Sequence, residues 1–366
     1  NLLQDELRQQ LLRIPEDDLE TQMDCLRIFR HSHMLRVAAS ELGEYLPLMK
    51  VSDYLTWLAE TLLEQAISIA WKNMTAKYGY PEGLTGDCLA LGFAIVGYGK
   101  LGGIELGYSS DLDMVFLYDS NDNGMTNGDR QINNQLFYIR LGQRVIHILS
   151  TQTTQGELYE TDMRLRPSGN SGMLVSSLSA FEKYQQNEAW TWEHQALVRA
   201  RFIAGDSDLG ERFNLVRQKI LTSHDDTFND KKEAASLVTD VVNMRRKMKV
   251  AAIDKFGSEE KAVNDIKQGD GGLIDIEFIT QYGVLQYASQ SAGLLEWTDN
   301  VRLLEALAKY KCFGEVDISP LADVYRQLRS ALHRKSLADD RYQVSLVDYS
   351  EQRLAVMAIW QQIFAV

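Results

Sequence analysis

Two aspartates separated by one residue stand at the start of an apolar run, in the segment Ser110-Asp111-Leu112-Asp113-Met114. Side chains alternate along a strand, so Asp111 and Asp113 share one face while Leu112 and Met114 point to the other. Paired carboxylates on a rigid strand can supply oxygen ligands to Mg²⁺ or Mn²⁺. The spacing therefore predicts a metal site of the kind that binds the phosphates of a nucleoside triphosphate.

The segment before these aspartates is rich in glycine and follows an apolar run over residues 89–96. Glycine lets backbone amides approach an anion closely, so this loop can bind the β- and γ-phosphates of a nucleotide. Either Ser109 or Ser110 is placed to add a hydroxyl. We predict two strands joined by this glycine-rich loop.

The same glycines also fit another pattern. Gly97, Gly99 and Gly102 match the GxGxxG fingerprint of dinucleotide-binding folds, and Asp119 lies near the distance expected of a ribose-binding acid. That fold needs a parallel crossover through a helix, whereas glycines interrupt the short interval before the second strand. A Walker A loop needs Ser or Thr after Gly-Lys, and Leu101 stands there instead.

A third acid is needed to strengthen the Asp-x-Asp pattern. Residues 156–166 alternate in the manner of a strand, which places Glu160, Asp162, Arg164 and Arg166 on one face. Such a face is either an exposed surface or the wall of a cleft. We favour the cleft, with Asp162 as third metal ligand or general base and the two arginines on phosphate.

Composition limits the class of protein. The chain has 366 residues, 45% of them hydrophobic, and a formal net charge of −13. Binding a nucleic acid requires positive charge against its phosphates, so a polynucleotide substrate is not expected. No apolar run reaches the roughly 20 residues that a membrane crossing needs, and no signal sequence is visible. We expect a globular cytoplasmic protein that binds neither nucleic acid nor membrane.

Other residues with metal or phosphate chemistry are interpreted as structural. Cys25, Cys88 and Cys312 are far apart without a CxxC pair, and the six histidines are scattered, which argues against a zinc site or a disulfide framework. A basic stretch over 245–249 could contact phosphate, but a solvated helix face is the preferred interpretation.

The predicted elements are helices over 1–76, strands over 89–96, 114–118 and 156–166, helices over 132–148 and 181–201, and linkers at 205–208 and 223–230. This order predicts an α+β fold, in which a small mixed sheet with helices lies between an N-terminal helical segment and a C-terminal helical bundle. The predicted domains are 1–77, 78–222 and 223–366. Because the first residue is Asn1, we expect a fragment of a longer protein.

The glycine loop and the Asp-x-Asp pair together closely resemble the signature of the glutamine synthetase adenylyltransferase family, within the polymerase-β-like nucleotidyltransferase superfamily. Further matches are residues 162–167 with Gly169, residues 190–196 with Arg199 and Arg201, and residues 267–278. Enzymes of this family carry one domain that removes AMP and one that attaches it. Tyr98, Gly107-Tyr108 and residues 274–278 resemble the attaching half.

The resemblance implies transfer of AMP from ATP to a tyrosine hydroxyl of glutamine synthetase, with release of pyrophosphate, as a control of nitrogen assimilation. Asp111 and Asp113 would hold Mg²⁺ or Mn²⁺, and Asp162 would complete the site or take the phenol proton. The residues that would bind ATP are Gly99, Lys100, Gly102, Gly103, Ser109, Ser110, Arg164 and Arg166. The PII signalling protein and glutamine would regulate the full-length enzyme.

Residues outside the main motifs carry weaker expectations. Arg199, Arg201 and Lys267 could contact the triphosphate or the target, while Asp275 and Glu277 open a predicted helix, where capping alone explains acids. On the helix before Arg199, Trp190 and Trp192 are interpreted as core. Three other functions stay open: phosphorolytic removal of AMP, an NAD-dependent oxidoreductase, and a non-catalytic module that binds glutamine synthetase.

Overall fold

The computed structural model describes residues 2–84, 91–223, 237–337 and 349–364. The chain divides into two compact units: Asn1–Gln185 with Ala200–Val216, and Gln186–Arg199 with Arg217–Val366. The predicted α+β class is confirmed, whereas the predicted domain ranges stay a prediction. Cys88 and residues 224–230 of the predicted second linker lie outside the described ranges. Within those ranges, none of the helices combines the length and apolarity that crossing a membrane requires.

Three helices open the first unit, as predicted: α1 (Leu2–Leu11), α2 (Leu19–Leu42) and α3 (Leu48–Tyr78). Asp18 caps α2, because its carboxylate accepts a hydrogen bond from the Thr21 amide at 3.1 Å. In α3 the apolar side chains that recur at helical spacing are buried against the rest of the unit. Gly79, at φ +74°, ends this helix.

The described part of the first unit contains a five-stranded sheet with strand order β3-β2-β1-β5, and β4 pairs separately with β2. Its strands are β1 (Phe93–Gly97), β2 (Leu112–Tyr118), β3 (Thr161–Asp162), β4 (Val175–Ser177) and β5 (Arg201–Gly205). The pairing of β1 with β2 is antiparallel, whereas β3 and β4 run parallel to β2. A dinucleotide-binding unit needs two parallel strands at this point, so the antiparallel register excludes it.

The helices that accompany the sheet are α4 (Gly99–Gly102), α5 (Asn134–Ser150), α6 (Leu178–Asn187) and α8 (Ser207–Thr222). Asn133 caps α5 by accepting a hydrogen bond from the Gln135 amide at 2.9 Å. Gly142 lets α5 approach the sheet closely, because a Cβ there would lie 2.7 Å from Val175 and 3.0 Å from Phe116. The position of α5 over β4 therefore depends on this glycine.

Three sequence predictions in this unit are wrong. The predicted strand 156–166 is reduced to Thr161–Asp162, which pair with Leu112 and Asp113 of β2, while β4 pairs with β2 from Phe116 onward. The predicted helix 181–201 is broken into α6 and α7 (Thr191–Val198), and its last residue begins β5. The predicted linker at 205–208 is instead the end of β5 and the cap of α8, where the Asp206 carboxylate accepts hydrogen bonds from backbone amides.

The second unit is helical in its described residues. Besides α7, its helices are α9 (Leu237–Phe256), α10 (Glu259–Val263), α11 (Leu273–Tyr287), α12 (Asn300–Lys309), α13 (Pro320–Leu337) and α14 (Ser350–Phe364). The expectation that Trp190 and Trp192 are core residues is wrong, because they are 57% and 37% exposed. Glu193 and His194 are buried instead, so α7 presents its polar residues inward.

A buried arginine joins α2 to the end of α5. The side chain of Arg27 is fully buried and donates to four backbone carbonyls: Gly156 at 2.7 Å, Met23 at 2.8 Å, Ile148 at 3.1 Å and Thr151 at 2.5 Å. Two of these carbonyls, those of Ile148 and Thr151, belong to the last turn and the C-cap of α5. The guanidinium supplies the hydrogen-bond donors that a further helical turn would otherwise provide.

We expect Arg27→Met to destabilise the first unit by about 3 kcal/mol, because each buried carbonyl left without a donor costs about 1–3 kcal/mol. The measurement is thermal unfolding followed by circular dichroism, with Arg36→Met on the exposed face of α2 as control. For a unit of this size that loss lowers Tm by about 6–12 °C. Equal melting of the two variants would contradict a structural role for Arg27.

Candidate active site

Three carboxylates converge where β2 and β3 begin. The parallel ladder places Asp113 opposite Asp162, and the Leu112 amide donates to the Glu160 carbonyl at 3.0 Å. One carboxylate oxygen from each of Asp111, Asp113 and Asp162 lies within 4.8 Å of the other two. Asp111 is exposed and the other two acids are half-buried, so the cluster is open to an ion from solvent.

The donor set of this cluster fits a hard divalent cation. Carboxylate oxygens are the ligands that Mg²⁺ and Mn²⁺ prefer. Three like charges at such short separations repel one another, and a bound divalent cation would offset that repulsion. The residues that could hold the metal are therefore Asp111, Asp113 and Asp162.

The glycine-rich turn begins directly against the second of these acids. Gly99 has φ +51°, and a Cβ at this residue would lie 2.3 Å from Oδ2 of Asp113. The Tyr98 amide also donates to the Asp113 carbonyl at 2.9 Å. Only glycine satisfies both the backbone conformation and the close approach. Gly99 therefore fixes the distance between the turn and the carboxylate.

Lys100 and Ser110 connect the turn to the first acid. The Lys100 ammonium donates to the Ser110 hydroxyl at 3.4 Å, and that hydroxyl accepts from the Gly107 amide at 3.0 Å. Ser110 directly precedes Asp111, while Ser109 is exposed. The structure thus brings Lys100 and Ser110 to the end of β2 where the three carboxylates lie.

Gly102 and Gly103 close the turn that Gly99 opens. The Gly102 amide donates to the Tyr98 carbonyl at 2.9 Å, and the Gly103 amide donates to the Gly99 carbonyl at 3.1 Å. Arg201 holds this end of the turn, because its guanidinium donates to the Gly102 carbonyl at 3.3 Å. The same arginine forms an ion pair with Glu60 at 2.5 Å. Its recorded contacts are thus with the turn and with α3.

Arg164 pairs with the third acid. Its Nε lies 3.0 Å from Oδ1 and 2.8 Å from Oδ2 of Asp162, and its Nη2 also contacts Oδ2. This hydrogen bonding holds the pKa of Asp162 below its usual value, although partial burial acts in the opposite direction. Asp162 is therefore ionised at neutral pH, as a metal ligand must be.

A cleft of about 460 Å³ lies beside the acids within the first unit. It is lined by Asp111, Ile146, Glu160, Thr161, Asp162, Met163, Arg164, Arg166, Asn170 and Leu174. Arg166 donates to the Met163 carbonyl at 2.8 Å and the Asn170 carbonyl at 3.3 Å. These bonds fold the loop after β3, so Arg166 both lines the cleft and shapes it.

The other predicted contact residues lie in the second unit. Arg199 is 4% exposed and forms an ion pair with Glu277 at 3.4 Å. Glu277 also accepts from the Tyr325 hydroxyl at 3.2 Å. Lys267 is exposed, in the turn that precedes α11. Arg199 and Glu277 therefore form a contact internal to this unit.

The expectation of a solvated basic face over 245–249 is wrong for its first residue. Arg245 is 1% exposed and pairs with the buried Asp275 at 2.5 Å. Asp275 also accepts from the Gly271 amide at 2.6 Å, and Arg245 donates to the Gln268 carbonyl at 2.6 Å. The two charges neutralise each other and fix the turn before α11.

Sequence reasoning missed two elements that support the site. The strand β5 carries Arg201 against the turn, and its short apolar run bounded by Gly205 was a usable signal. The second is a hydrogen bond of 2.6 Å from the Tyr108 hydroxyl to the Glu41 carboxylate, which holds the loop before Asp111 to α2. No sequence pattern marks that contact.

A small mixed sheet that joins three convergent carboxylates to a glycine-rich turn is the arrangement expected of a nucleotidyltransferase domain. Residues 1–216 match the family model described as glutamate-ammonia ligase adenylyltransferase. The chain belongs to this family. Residues 242–362 match a second model, described as GlnD PII-uridylyltransferase.

Similar proteins of known name agree with this assignment. The chain is 50% identical over 364 residues to a protein of Hahella chejuensis, 47% over 369 residues to one of Pseudomonas putida, and 49% over 365 residues to one of Pseudomonas syringae pv. tomato. All three are named bifunctional glutamine synthetase adenylyltransferase/adenylyl-removing enzyme. The matches cover 98–99% of this chain but only 36–37% of the relatives, so the chain spans little more than a third of their length.

Proposed function

We propose that this chain transfers AMP from ATP to a tyrosine hydroxyl of glutamine synthetase and releases pyrophosphate. The observation that carries the proposal is the convergence of Asp111, Asp113 and Asp162 beside the Gly99 turn in a member of this family. We also propose a cytoplasmic location for this chain, because its proposed substrates are ATP and glutamine synthetase. Regulation by the PII signalling protein and by glutamine stays a prediction for the full-length protein.

The binding roles follow from the positions of the side chains. Asp111, Asp113 and Asp162 would hold Mg²⁺ or Mn²⁺, which when bound neutralises charge on the phosphates. The amides of the turn that Gly99 opens, together with Lys100, would bind the β- and γ-phosphates. Ser109, Ser110, Gly102 and Gly103 would complete this phosphate side. Arg164 and Arg166, which line the cleft with Asp111 and Asp162, are the arginines predicted to bind phosphate.

The chemical step is an exchange of two bonds at the α-phosphorus. The phenol oxygen bonds to the α-phosphorus while the bond to the bridging oxygen of the β-phosphate breaks, and pyrophosphate leaves with that electron pair. A free phenol has a pKa near 10, so its proton must be removed, either by Asp162 or by water. The hydrogen bonds from Arg164 lower the pKa of Asp162, so this carboxylate is ionised and accepts a proton less readily, and we assign it to the metal.

Transfer of label tests the proposal directly. The chain is incubated with ATP labelled in the α-phosphate, Mg²⁺ and unmodified glutamine synthetase, and protein-bound label is measured; EDTA in place of Mg²⁺ is the control. We expect metal-dependent label on tyrosine. If the chain instead forms ADP from phosphate and adenylylated glutamine synthetase, and shows no forward transfer, its activity is the reverse one, phosphorolytic removal of AMP. Stabilisation by NAD but not by ATP with Mg²⁺, or no transfer in either direction, would reject the proposal.

A further inference from the structure

We propose that the cleft beside Asp111 and Asp162 is the acceptor subsite and that Ile146 and Leu174 contact the ring of the tyrosine that is modified. The inference rests on the proposed transfer of AMP to a tyrosine. It adds the location at which the acceptor tyrosine binds and the side chains that contact it. All of the residues involved lie in the first unit.

The glycine turn and the cleft contact different residues around the acids. The glycine turn and Lys100 lie beside Asp113 and Ser110. The cleft is lined by Asp111 and Asp162 but by no residue of 97–103. In phosphoryl-group chemistry the attacking and leaving oxygens lie in line on opposite sides of the phosphorus. If the turn binds the leaving pyrophosphate, the cleft is where the attacking oxygen must enter.

The walls of the cleft match a phenol side chain. Ile146 from α5 and Leu174 before β4 are half-buried and pack against the core, while Met163, which also lines the cleft, is 8% exposed. The other lining residues are polar or charged, among them Asp111, Asp162 and Arg164. A tyrosine has an apolar ring with one polar tip, so its ring would contact the aliphatic wall while the hydroxyl faces the acids. A volume of about 460 Å³ admits the ring with neighbouring residues of a protein substrate.

The wall is rigid enough to position a ring. Leu174 directly precedes Val175, which pairs with Phe116 in β2. Ile146 follows Gly142 by one helical turn, and Gly142 is where α5 lies close against the sheet. Arg166 fixes the loop on the remaining side through its bonds to backbone carbonyls. The two apolar contacts thus come from a helix and from the residue that directly precedes a strand.

Two variants test the subsite: Leu174→Asn and Ile146→Thr, with Met173→Asn as matched control. Met173 is 48% exposed and does not line the cleft. We expect each of the first two variants to raise KM for unmodified glutamine synthetase about tenfold, since loss of an apolar contact weakens binding by roughly a kcal/mol or more. KM for MgATP and kcat should stay within about twofold, because the lost contact is the same in ground and transition states.

The possible results separate this inference from the proposed function. If the chain without substitutions transfers no label, the proposed function itself is rejected. Transfer with normal KM for glutamine synthetase in both variants overturns the subsite, and so does a rise in KM for MgATP alone, which would assign the cleft to the adenine ring. Melting curves identify a variant that fails to fold, and the other variant then decides the outcome.

Discussion

We expect Asp113→Asn to lower the rate of AMP transfer at least about a thousandfold. An amide keeps the shape of the side chain but removes one of the three negative charges that would hold the metal. Asp113 lies opposite Asp162 in the ladder and against Gly99 in the turn, so its loss affects both metal and triphosphate. A thousandfold corresponds to about 4 kcal/mol of transition-state stabilisation. The measurement is the initial rate of label transfer from ATP at saturating Mg²⁺.

The matched control is Asp119→Asn. Asp119 follows the same strand at its other end, is about half exposed and pairs with Arg212, so we expect its rate to stay within about twofold. The melting temperature of Asp113→Asn should be unchanged or higher, because one of three repelling charges is removed. A rate above about a tenth of the unchanged protein would place the metal elsewhere.

We expect Gly99→Ala to lower the same rate about a hundredfold while the protein stays folded. The methyl group would lie 2.3 Å from Oδ2 of Asp113, which is closer than any real contact. Either the carboxylate or the turn must therefore move, and a displacement of about 1 Å at a reacting centre costs roughly a hundredfold. The positive φ adds about 1 kcal/mol of backbone strain.

Gly314→Ala separates strain from displacement. Gly314 has φ +61° but nothing within 4 Å of its added Cβ. An alanine there therefore introduces backbone strain without a steric clash. We expect a small loss of stability and no change in rate. If Gly99→Ala also keeps its rate, the turn does not position the phosphates in the way proposed here.

The candidate metal ligands on β2 could be identified from sequence because their pattern is local. Alternation along a short strand is enough to place Asp111 and Asp113 on one face, since the neighbouring apolar residues identify the buried face. Asp162 could be proposed as partner because a second segment alternated in the same way. Its exact place opposite Asp113 depends on strand pairing, which sequence spacing does not determine.

The extent of the strands could not be predicted in the same way. β2 pairs along one edge with two short segments, β3 and β4, so the chain between them must leave the sheet. Arg166 supplies donors to carbonyls of that loop, which replaces the hydrogen bonds of a longer strand. The alternating side chains of residues 156–166 therefore predicted a longer strand than the pairing with β2 allows.

The reason for a glycine at residue 99 was also not visible in sequence. A glycine-rich loop indicates where backbone must be accessible, but several glycines share that property. Only the structure shows that Gly99 meets a carboxylate, whereas Gly97 faces Ile203 and Leu101. These close approaches arise from residues that are distant in the chain.

The second unit consists of two segments that are separated in the chain, and this affects the order in which its contacts form during synthesis. Its first segment, Gln186–Arg199, emerges from the ribosome before the rest of that unit. Within it, Gln195 bonds to Gln281 at 3.2 Å, Arg199 to Glu277 at 3.4 Å, and Thr191 to Asp240. Those partners are translated later, so these three bonds of α7 and Arg199 form only after α9 and then α11 have left the exit tunnel. A nascent chain stopped after residue 216 would therefore lack the partners of Thr191, Gln195 and Arg199.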